Sequence, residues 1–130
     1  MDASANNTKK VLVVEDEVPL LNVLLEKLTR EGFVALGAEN GARGIEVAKR
    51  EKPDIILLDL VMPEMTGVDA LKAIRGEGEW GKQVPVIVLT NLSGNERLFR
   101  QLDENKPVHY LIKGEQKMED LVREIKKLVG

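Results

Sequence analysis

Residues 54–67 of the chain read DIILLDLVMPEMTG. The aliphatic residues at 55–58 predict a strand buried on both faces, because the strands of parallel sheets are covered by helices on both sides. Asp59 follows them, where burial of an uncompensated charge is costly, and no helix needs a cap before about Thr66. We therefore expect Asp59 to have a function rather than to be an ordinary capping or surface residue.

The rest of the chain alternates between strand-like and helix-like segments. Apolar runs predict further strands at 11–14, 84–89 and 109–112, and a weaker one at 33–38. Apolar residues at helical spacing predict helices at 19–31, about 41–51, from about 66, about 94–105 and 118–129. Gly32 suits the left-handed conformation that ends a helix, and Thr66 with Asp69 resembles a capping box. The alternation predicts a doubly wound α/β fold with a parallel sheet.

The composition fits one globular domain and excludes several classes of protein. The 130 residues are 43% hydrophobic and 32% charged. The chain has no cysteine, so disulfides and thiolate metal sites are excluded, and this absence suits a protein of the reducing cytoplasm. Residues 1–9 are polar and are expected to form a flexible tail before a domain at 10–130. A net charge of -3 argues against direct nucleic-acid binding. No apolar run approaches the roughly 20 residues of a membrane span, so no membrane insertion is expected.

Four of the five predicted strands end in polar residues. Glu15 and Asp16 follow the first strand in the sequence, Asp59 the third, Thr90 the fourth and Lys113 the fifth. In an open parallel sheet these ends meet at one edge, where ligands bind. Three carboxylates at one edge repel one another unless protons or a cation neutralise them. Oxygen ligands favour Mg²⁺, which commonly also takes a phosphate oxygen.

Each polar residue also has an ordinary explanation. Asp16 could cap the next helix, Thr90 could simply end a strand, and Lys113 could be a solvated surface lysine. Their joint placement at strand ends favours a shared site. His109, the sole histidine, is expected at a surface or strand edge, and Trp80 is expected in a loop at 76–82; neither is assigned a function.

The segment at 54–67 resembles the phosphorylation segment of response-regulator receiver domains, which has an apolar strand, an acceptor aspartate, a proline and a glycine. Residues 13–17 (VVEDE) resemble the acidic pair of that family. Residues 88–90 (VLT) and 110–113 (YLIK) are similar to its switch threonine, switch aromatic residue and lysine. The resemblance spans roughly residues 10–129. It implies a flavodoxin-like receiver fold with five strands in the order 2-1-3-4-5 and five helices.

The resemblance implies a phosphorylation-dependent signalling role with Mg²⁺ as cofactor. Asp59 would accept a phosphoryl group from a histidine kinase or a phosphotransfer protein. Asp16, Asp59 and the backbone carbonyl of Val61 would bind the ion, and Glu15 would act mainly through a metal-bound water. Lys113 would pair with a phosphoryl oxygen. The chain would not be an enzyme, beyond assisting its own phosphorylation and dephosphorylation.

The resemblance also implies a switch. The phosphoryl group adds about -1.5 to -2 charges and would attract the Thr90 hydroxyl. Tyr110 would then turn inward and alter a surface formed by the fourth helix, fifth strand and fifth helix. That surface would bind a downstream protein target or an output domain missing from this chain. Met62 and Asn91 would modulate the rates of phosphotransfer and hydrolysis.

Departures from the family pattern leave other functions open. The family often has a small residue after the threonine and a proline after the lysine, whereas this chain has Asn91 and Gly114. Pro107 stands where a turn glycine is common. A receiver-like interaction domain that acts without phosphorylation is therefore an alternative. A Mg²⁺-dependent phosphohydrolase is a weaker one, because Leu60 and Val61 supply no second acid and 130 residues leave no room for a substrate cap.

Overall fold

Strands and helices alternate along the chain in the computed structural model, which describes residues 8–90, 100, 109–112 and 118–129. The elements, in chain order, are β1 (Lys10–Val14), α1 (Val18–Arg30), β2 (Val34–Ala38), α2 (Gly41–Glu51), β3 (Ile55–Asp59), α3 (Gly67–Arg75), α4 (Gly78–Gln83), β4 (Val86–Thr90), β5 (His109–Ile112) and α5 (Met118–Val129). The predicted helix at 94–105 and Pro107 lie outside the described residues, apart from Arg100, which is helical.

The strands form one parallel sheet in the order β2-β1-β3-β4-β5. Alternate side chains point to opposite faces, as a strand requires. On one face Leu12, Ile56 and Val88 belong to a core cluster with apolar residues of α2 and α3. On the other face Val13 and Ile87 pack with residues of α1 and α5. Helices therefore cover both faces, and the predicted doubly wound architecture is confirmed.

Several local predictions are confirmed. Gly32 has φ +95° directly after the last turn of α1, where an L-residue would be strained. The side chain of Thr66 accepts a hydrogen bond from the Asp69 amide at 3.2 Å, and the Asp69 side chain accepts one from the Thr66 amide at 3.4 Å. These reciprocal bonds form the expected capping box. The N-cap of α1 is Glu17, so Asp16 is not the helix cap that it could have been.

The segment around Trp80 corrects the sequence prediction, which placed it in a loop. It forms the short helix α4, which begins at Gly78, where φ is +70°. Trp80 packs against the core cluster on the α2 and α3 face, and its Nε1 donates a hydrogen bond to the Pro53 carbonyl at 3.0 Å. Because α4 extends to Gln83, β4 begins at Val86, two residues later than the apolar run suggested.

Candidate functional site

The strand register brings the predicted acidic residues to one edge of the sheet. Val14, the last residue of β1, is paired with Leu58, so Glu15, the residue after it, reaches the level of Asp59. Asp59 is in turn paired with Leu89 of β4, which places Thr90 one residue beyond it. Parallel strands that end together deliver their terminal side chains to the same place. The prediction that the acidic residues of β1 and β3 converge is confirmed.

The three carboxylates form a tight cluster. One carboxylate oxygen from each of Glu15, Asp16 and Asp59 lies within 4.8 Å of the other two. Glu15 is fully buried, Asp59 is 3% exposed, and Asp16 is partly exposed. At such a separation, two like charges repel by on the order of 3 kcal/mol at an effective dielectric constant of about 20. The cluster is therefore arranged to gain from a bound cation.

Backbone hydrogen bonds hold the β1 side of the cluster. The Glu15 amide donates to the Ala38 carbonyl of β2 at 3.0 Å, which extends the sheet pairing by one residue. The Glu15 carboxylate accepts a hydrogen bond from the Glu17 amide at 3.0 Å through Oε2. This local turn fixes the chain between β1 and α1, which begins at Val18. Asp16 is carried at the tip of that turn.

The β3 side of the cluster is held by the start of α3. The Leu60 amide donates to the Leu89 carbonyl at 3.1 Å, and the Gly67 amide donates to the Leu60 carbonyl at 2.7 Å. A Cβ on Gly67 would overlap the Asp59 carbonyl oxygen and lie 2.9 Å from the Leu60 Cα. Only glycine permits this approach of two backbone segments. Gly67 therefore fixes the backbone that carries Asp59.

Comparison with known proteins identifies the family. A sequence model of the response regulator receiver domain matches residues 11–126. The chain belongs to the response regulator receiver domain family. Receiver domains are signalling modules of two-component systems, and they interact with histidine kinases or phosphotransfer proteins. This match confirms the resemblance on which the sequence-based expectations depend.

Relatives and solved structures agree with this assignment. The chain is 34% identical over 113 residues to the transcriptional regulatory protein PdtaR of Mycobacterium tuberculosis, an alignment that covers 86% of this chain. It spans about half of that relative, 53% of its length. The chemotaxis protein CheY4 of Vibrio cholerae has a TM-score of 0.84 at 25% identity, with 93% of this chain and 98% of that chain covered.

A further solved structure contains a metal. The receiver domain of the sensor histidine kinase PA1611 from Pseudomonas aeruginosa has a TM-score of 0.79 at 28% identity, with 95% of this chain and 98% of that chain covered. That structure has a magnesium ion coordinated in its active site cleft. Among the described residues of the present receiver domain, Glu15, Asp16 and Asp59 form a group that could hold a metal ion, and carboxylate oxygens are ligands that Mg²⁺ prefers. The residues therefore fit the ion.

The loop after β3 contains Val61, which is predicted to bind the metal ion through its carbonyl, and Met62, which is predicted to modulate the reaction rates. Val61 is 49% exposed, while Met62 is only 6% exposed and belongs to the core cluster on the α2 and α3 face. A buried Met62 contributes to packing, so any effect on rates would be indirect. The metal-binding role of the Val61 carbonyl stays a prediction.

The remaining predicted residues belong to β4, to β5 or to the segments that follow these strands in the sequence. Thr90 ends β4, and Tyr110 lies in β5, paired with Val88. The side chains of these two residues lie outside the described part of the receiver domain, as do Asn91, Lys113 and Gly114 altogether. Their roles stay predictions. Among the described residues, no helix is long and apolar enough to cross a membrane.

Sequence reasoning missed how the backbone of Asp59 is supported. Gly67 was noted only as part of the family pattern, although a glycine that opens a helix is itself a signal because it is a poor helix former. Met65 was not noted at all. Its side chain packs against Gly41, the first residue of α2, and this long-range contact leaves no trace in local periodicity.

Proposed function

We propose that this receiver domain accepts a phosphoryl group on Asp59, with Mg²⁺ held by Glu15, Asp16 and Asp59. The observation that carries the proposal is that carboxylate oxygens of these three residues lie within 4.8 Å of one another at the end of β3, a strand whose five residues are all buried. A structural role does not explain why two nearly fully buried carboxylates and a third lie side by side. A phosphoryl-transfer site needs such an arrangement.

The proposed reaction uses an Asp59 carboxylate oxygen as the nucleophile. This oxygen forms a bond to phosphorus while the bond from phosphorus to the donor nitrogen or oxygen breaks, and the leaving group takes the electron pair and a proton. A bound Mg²⁺ would offset the charge of the carboxylates and of the transferring group. Gly67 and Leu60 hold the backbone of Asp59 so that its carboxylate faces the donor.

The remaining residues have supporting roles in the proposal. The backbone carbonyl of Val61 completes the metal ligands. The ammonium group of Lys113 pairs with a phosphoryl oxygen. The hydroxyl of Thr90 moves toward the phosphoryl group, and Tyr110 turns inward as Thr90 moves. Asn91 lies next to Thr90 in the chain and modulates the lifetime of the phosphoryl group.

The partners in the proposal are proteins. A histidine kinase or phosphotransfer protein supplies the phosphoryl group in a cytoplasmic setting, and a downstream target or an output domain reads the altered surface. The magnesium ion in the PA1611 receiver supports the choice of metal. Because the chain spans about half of the PdtaR relatives, an output domain in the same polypeptide is compatible with this role.

Phosphorylation by a small donor tests the proposal. The protein is incubated with acetyl phosphate or phosphoramidate, with and without Mg²⁺, and intact mass reports the added phosphoryl group. We expect an adduct that is labile in strong acid and in base, as an acyl phosphate is, that needs Mg²⁺ and that is absent from Asp59→Asn. The matched control is Asp54→Asn, directly before the other end of β3, where the Asp54 side chain accepts a hydrogen bond from the Lys10 amide. Asp54→Asn should still be labelled.

Three results would count against the proposal, and the last two of them would favour an alternative function. Mg²⁺-dependent labelling that persists in Asp59→Asn would refute the acceptor assignment. Absence of labelling, combined with failure to bind Mg²⁺ or beryllofluoride, would favour an interaction domain that acts without phosphorylation. Turnover of an added phosphomonoester would favour a phosphohydrolase.

A further inference from the structure

Met65 connects the loop after Asp59 to a different part of the fold. A Cβ built on Gly41, the first residue of α2, would lie 2.8 Å from the Met65 Sδ and 3.0 Å from its Cγ. The Met65 side chain thus lies directly on the backbone of Gly41, in the space that a larger residue at 41 would fill. It also packs against the core cluster on the α2 and α3 face. Met65 is the side chain that anchors the tip of this loop to α2.

The backbone beside Met65 is strained. Glu64 has φ +67°, a conformation that costs a residue with a Cβ roughly 1 kcal/mol or more. The Met65 amide donates to the Pro63 carbonyl at 2.7 Å, which closes a very tight turn. Such a conformation persists only when the surroundings hold it. The contact between Met65 and Gly41 is part of what holds it, together with the start of α3 at Gly67.

Met65 is not fully buried, although its side chain packs against Gly41 and the core cluster on the α2 and α3 face. Met65 is partly exposed, whereas Met62, three residues earlier in the same loop, is 6% exposed. Met118 on α5 is also partly exposed, but it packs against the core cluster on the opposite face of the sheet. Among the methionines in the described residues, Met65 alone combines solvent access with a position in the loop that follows Asp59.

We propose that Met65 is a site of reversible oxidation by hydroperoxides, through which the metal site is weakened. The thioether sulfur attacks the distal oxygen of the hydroperoxide, so an S–O bond forms and the O–O bond breaks. The sulfur is oxidised to the sulfoxide, and the peroxide is reduced to water or an alcohol. The sulfoxide can be returned to the thioether by a thiol-dependent methionine sulfoxide reductase.

The consequence for the site follows from polarity and space. A sulfoxide oxygen is a strong hydrogen-bond acceptor that is costly to leave against the apolar side chains of the core cluster on which Met65 packs. The side chain therefore leaves this position, and the tight turn at Glu64 loses its anchor. The loop carries Val61, whose carbonyl is a ligand under the proposed function, on which this inference depends. Met65 is a positioning residue, because it acts through the loop.

Metal binding before and after oxidation tests the inference without relying on phosphorylation. The protein is treated with hydrogen peroxide, the sulfoxide is located by peptide mass, and Mn²⁺ affinity is measured by electron paramagnetic resonance. We expect Mn²⁺ binding to weaken roughly ten-fold, at the low end of the effect of groups that orient metal ligands. Treatment with methionine sulfoxide reductase should restore it.

Three variants make the test specific. In Met65→Leu the ratio of affinities before and after peroxide should stay at one, since leucine fills a similar volume and cannot be oxidised. Met118→Leu is the matched control and should remain as sensitive as the natural chain. Met65→Gln, which places a polar group in the same position, should show weakened Mn²⁺ binding without any peroxide.

The outcomes separate this inference from the proposed function. If the untreated natural chain binds no Mn²⁺, the proposed function fails. If it binds Mn²⁺ and keeps its affinity after Met65 is shown to be oxidised, or if Met65→Leu loses affinity to the same extent, the role of Met65 is refuted. Circular dichroism of the oxidised protein is recorded as well, since general unfolding would equally refute a local effect on the loop.

Discussion

Charged side chains are arranged differently at the amino-terminal and the carboxyl-terminal ends of the strands. At the amino-terminal edge the Lys10 amide donates to the Asp54 carboxylate at 2.8 Å, and the Lys10 ammonium lies 3.2 Å from Glu51. At the carboxyl-terminal edge, three carboxylates gather within 4.8 Å. Pairing of opposite charges suits a stable fold, and gathering of like charges works against it. Natural proteins depart from stabilising arrangements mainly at functional sites, so the clustered carboxylates mark the carboxyl-terminal edge as the candidate functional site.

The largest effect is expected from added volume at two matched glycines. A Cβ at Gly67 would overlap the Asp59 carbonyl oxygen, and a Cβ at Gly81 in α4 would overlap the Ile74 carbonyl oxygen. Gly67→Ala and Gly81→Ala should each lower the free energy of unfolding by roughly 3 kcal/mol, measured by urea denaturation. Only Gly67→Ala should also weaken Mn²⁺ binding, because it displaces Asp59. Equal Mn²⁺ affinity in both variants would contradict the role given to Gly67.

The next largest effect concerns stabilisation by the metal. A ligand at 100 times its dissociation constant stabilises the folded state by about 2.7 kcal/mol. Thermal unfolding of the natural chain should therefore shift upward when Mg²⁺ is added. Asp16→Asn should lose most of this shift and, without Mg²⁺, should be no less stable, because one repulsive charge is gone. The control is Asp54→Asn, which should keep the full shift; an unchanged shift in Asp16→Asn would remove Asp16 from the metal site.

A smaller effect is expected at Trp80, on the amino-terminal side. Trp80→Phe keeps most of the ring but removes the hydrogen bond from Nε1 to the Pro53 carbonyl. The free energy of unfolding should fall by about 1 kcal/mol, the usual value of such a bond. Phosphorylation by acetyl phosphate should be unaffected. A large change in phosphorylation would show that the two edges are coupled.

The smallest effect is a pH dependence at the paired edge. The hydrogen bond from Lys10 lowers the pKa of Glu51 below its ordinary value of 4.5, and Arg50 adds to this. A lowered pKa in the folded state means that the stabilisation is present above pH 4.5 and is lost as the pH falls through the folded value. The urea midpoint of Glu51→Gln should thus fall less on acidification than that of the natural chain. Because the side chains of Lys10 and Glu51 are both partly exposed, solvent screens the pair and the difference should be slight.

The sequence predicted the elements whose signals are local. The aliphatic run at 55–58 marked β3, Gly32 marked the end of α1, and Thr66 with Asp69 marked the start of α3. The convergence of Glu15 and Asp59 could be predicted because parallel strands end together. Each of these inferences needs only residues close in the sequence or a general rule of sheet topology.

The predictions that were wrong or missing depend on contacts between distant residues. Trp80 in the short helix α4 donates a hydrogen bond to the carbonyl of Pro53, which lies 27 residues earlier in the chain. The composition near 76–82 does not reveal this contact. The contact between Met65 and Gly41 joins the loop after β3 to the first residue of α2. The roles of Lys113 and Asn91 stay predictions, since both lie outside the described residues.

Gly44 on α2 faces Val14 on β1 with no room between them. A Cβ at position 44 would lie 2.7 and 2.9 Å from the two methyl groups of Val14, which is fully buried. Gly44→Ala alone should therefore be harmful, and Val14→Ala alone should leave a void. Together they would remove the two methyl groups of Val14 from the strand and add one methyl group on the helix in their place. These two positions should constrain each other during evolution, so that a change at one becomes acceptable only after a change at the other.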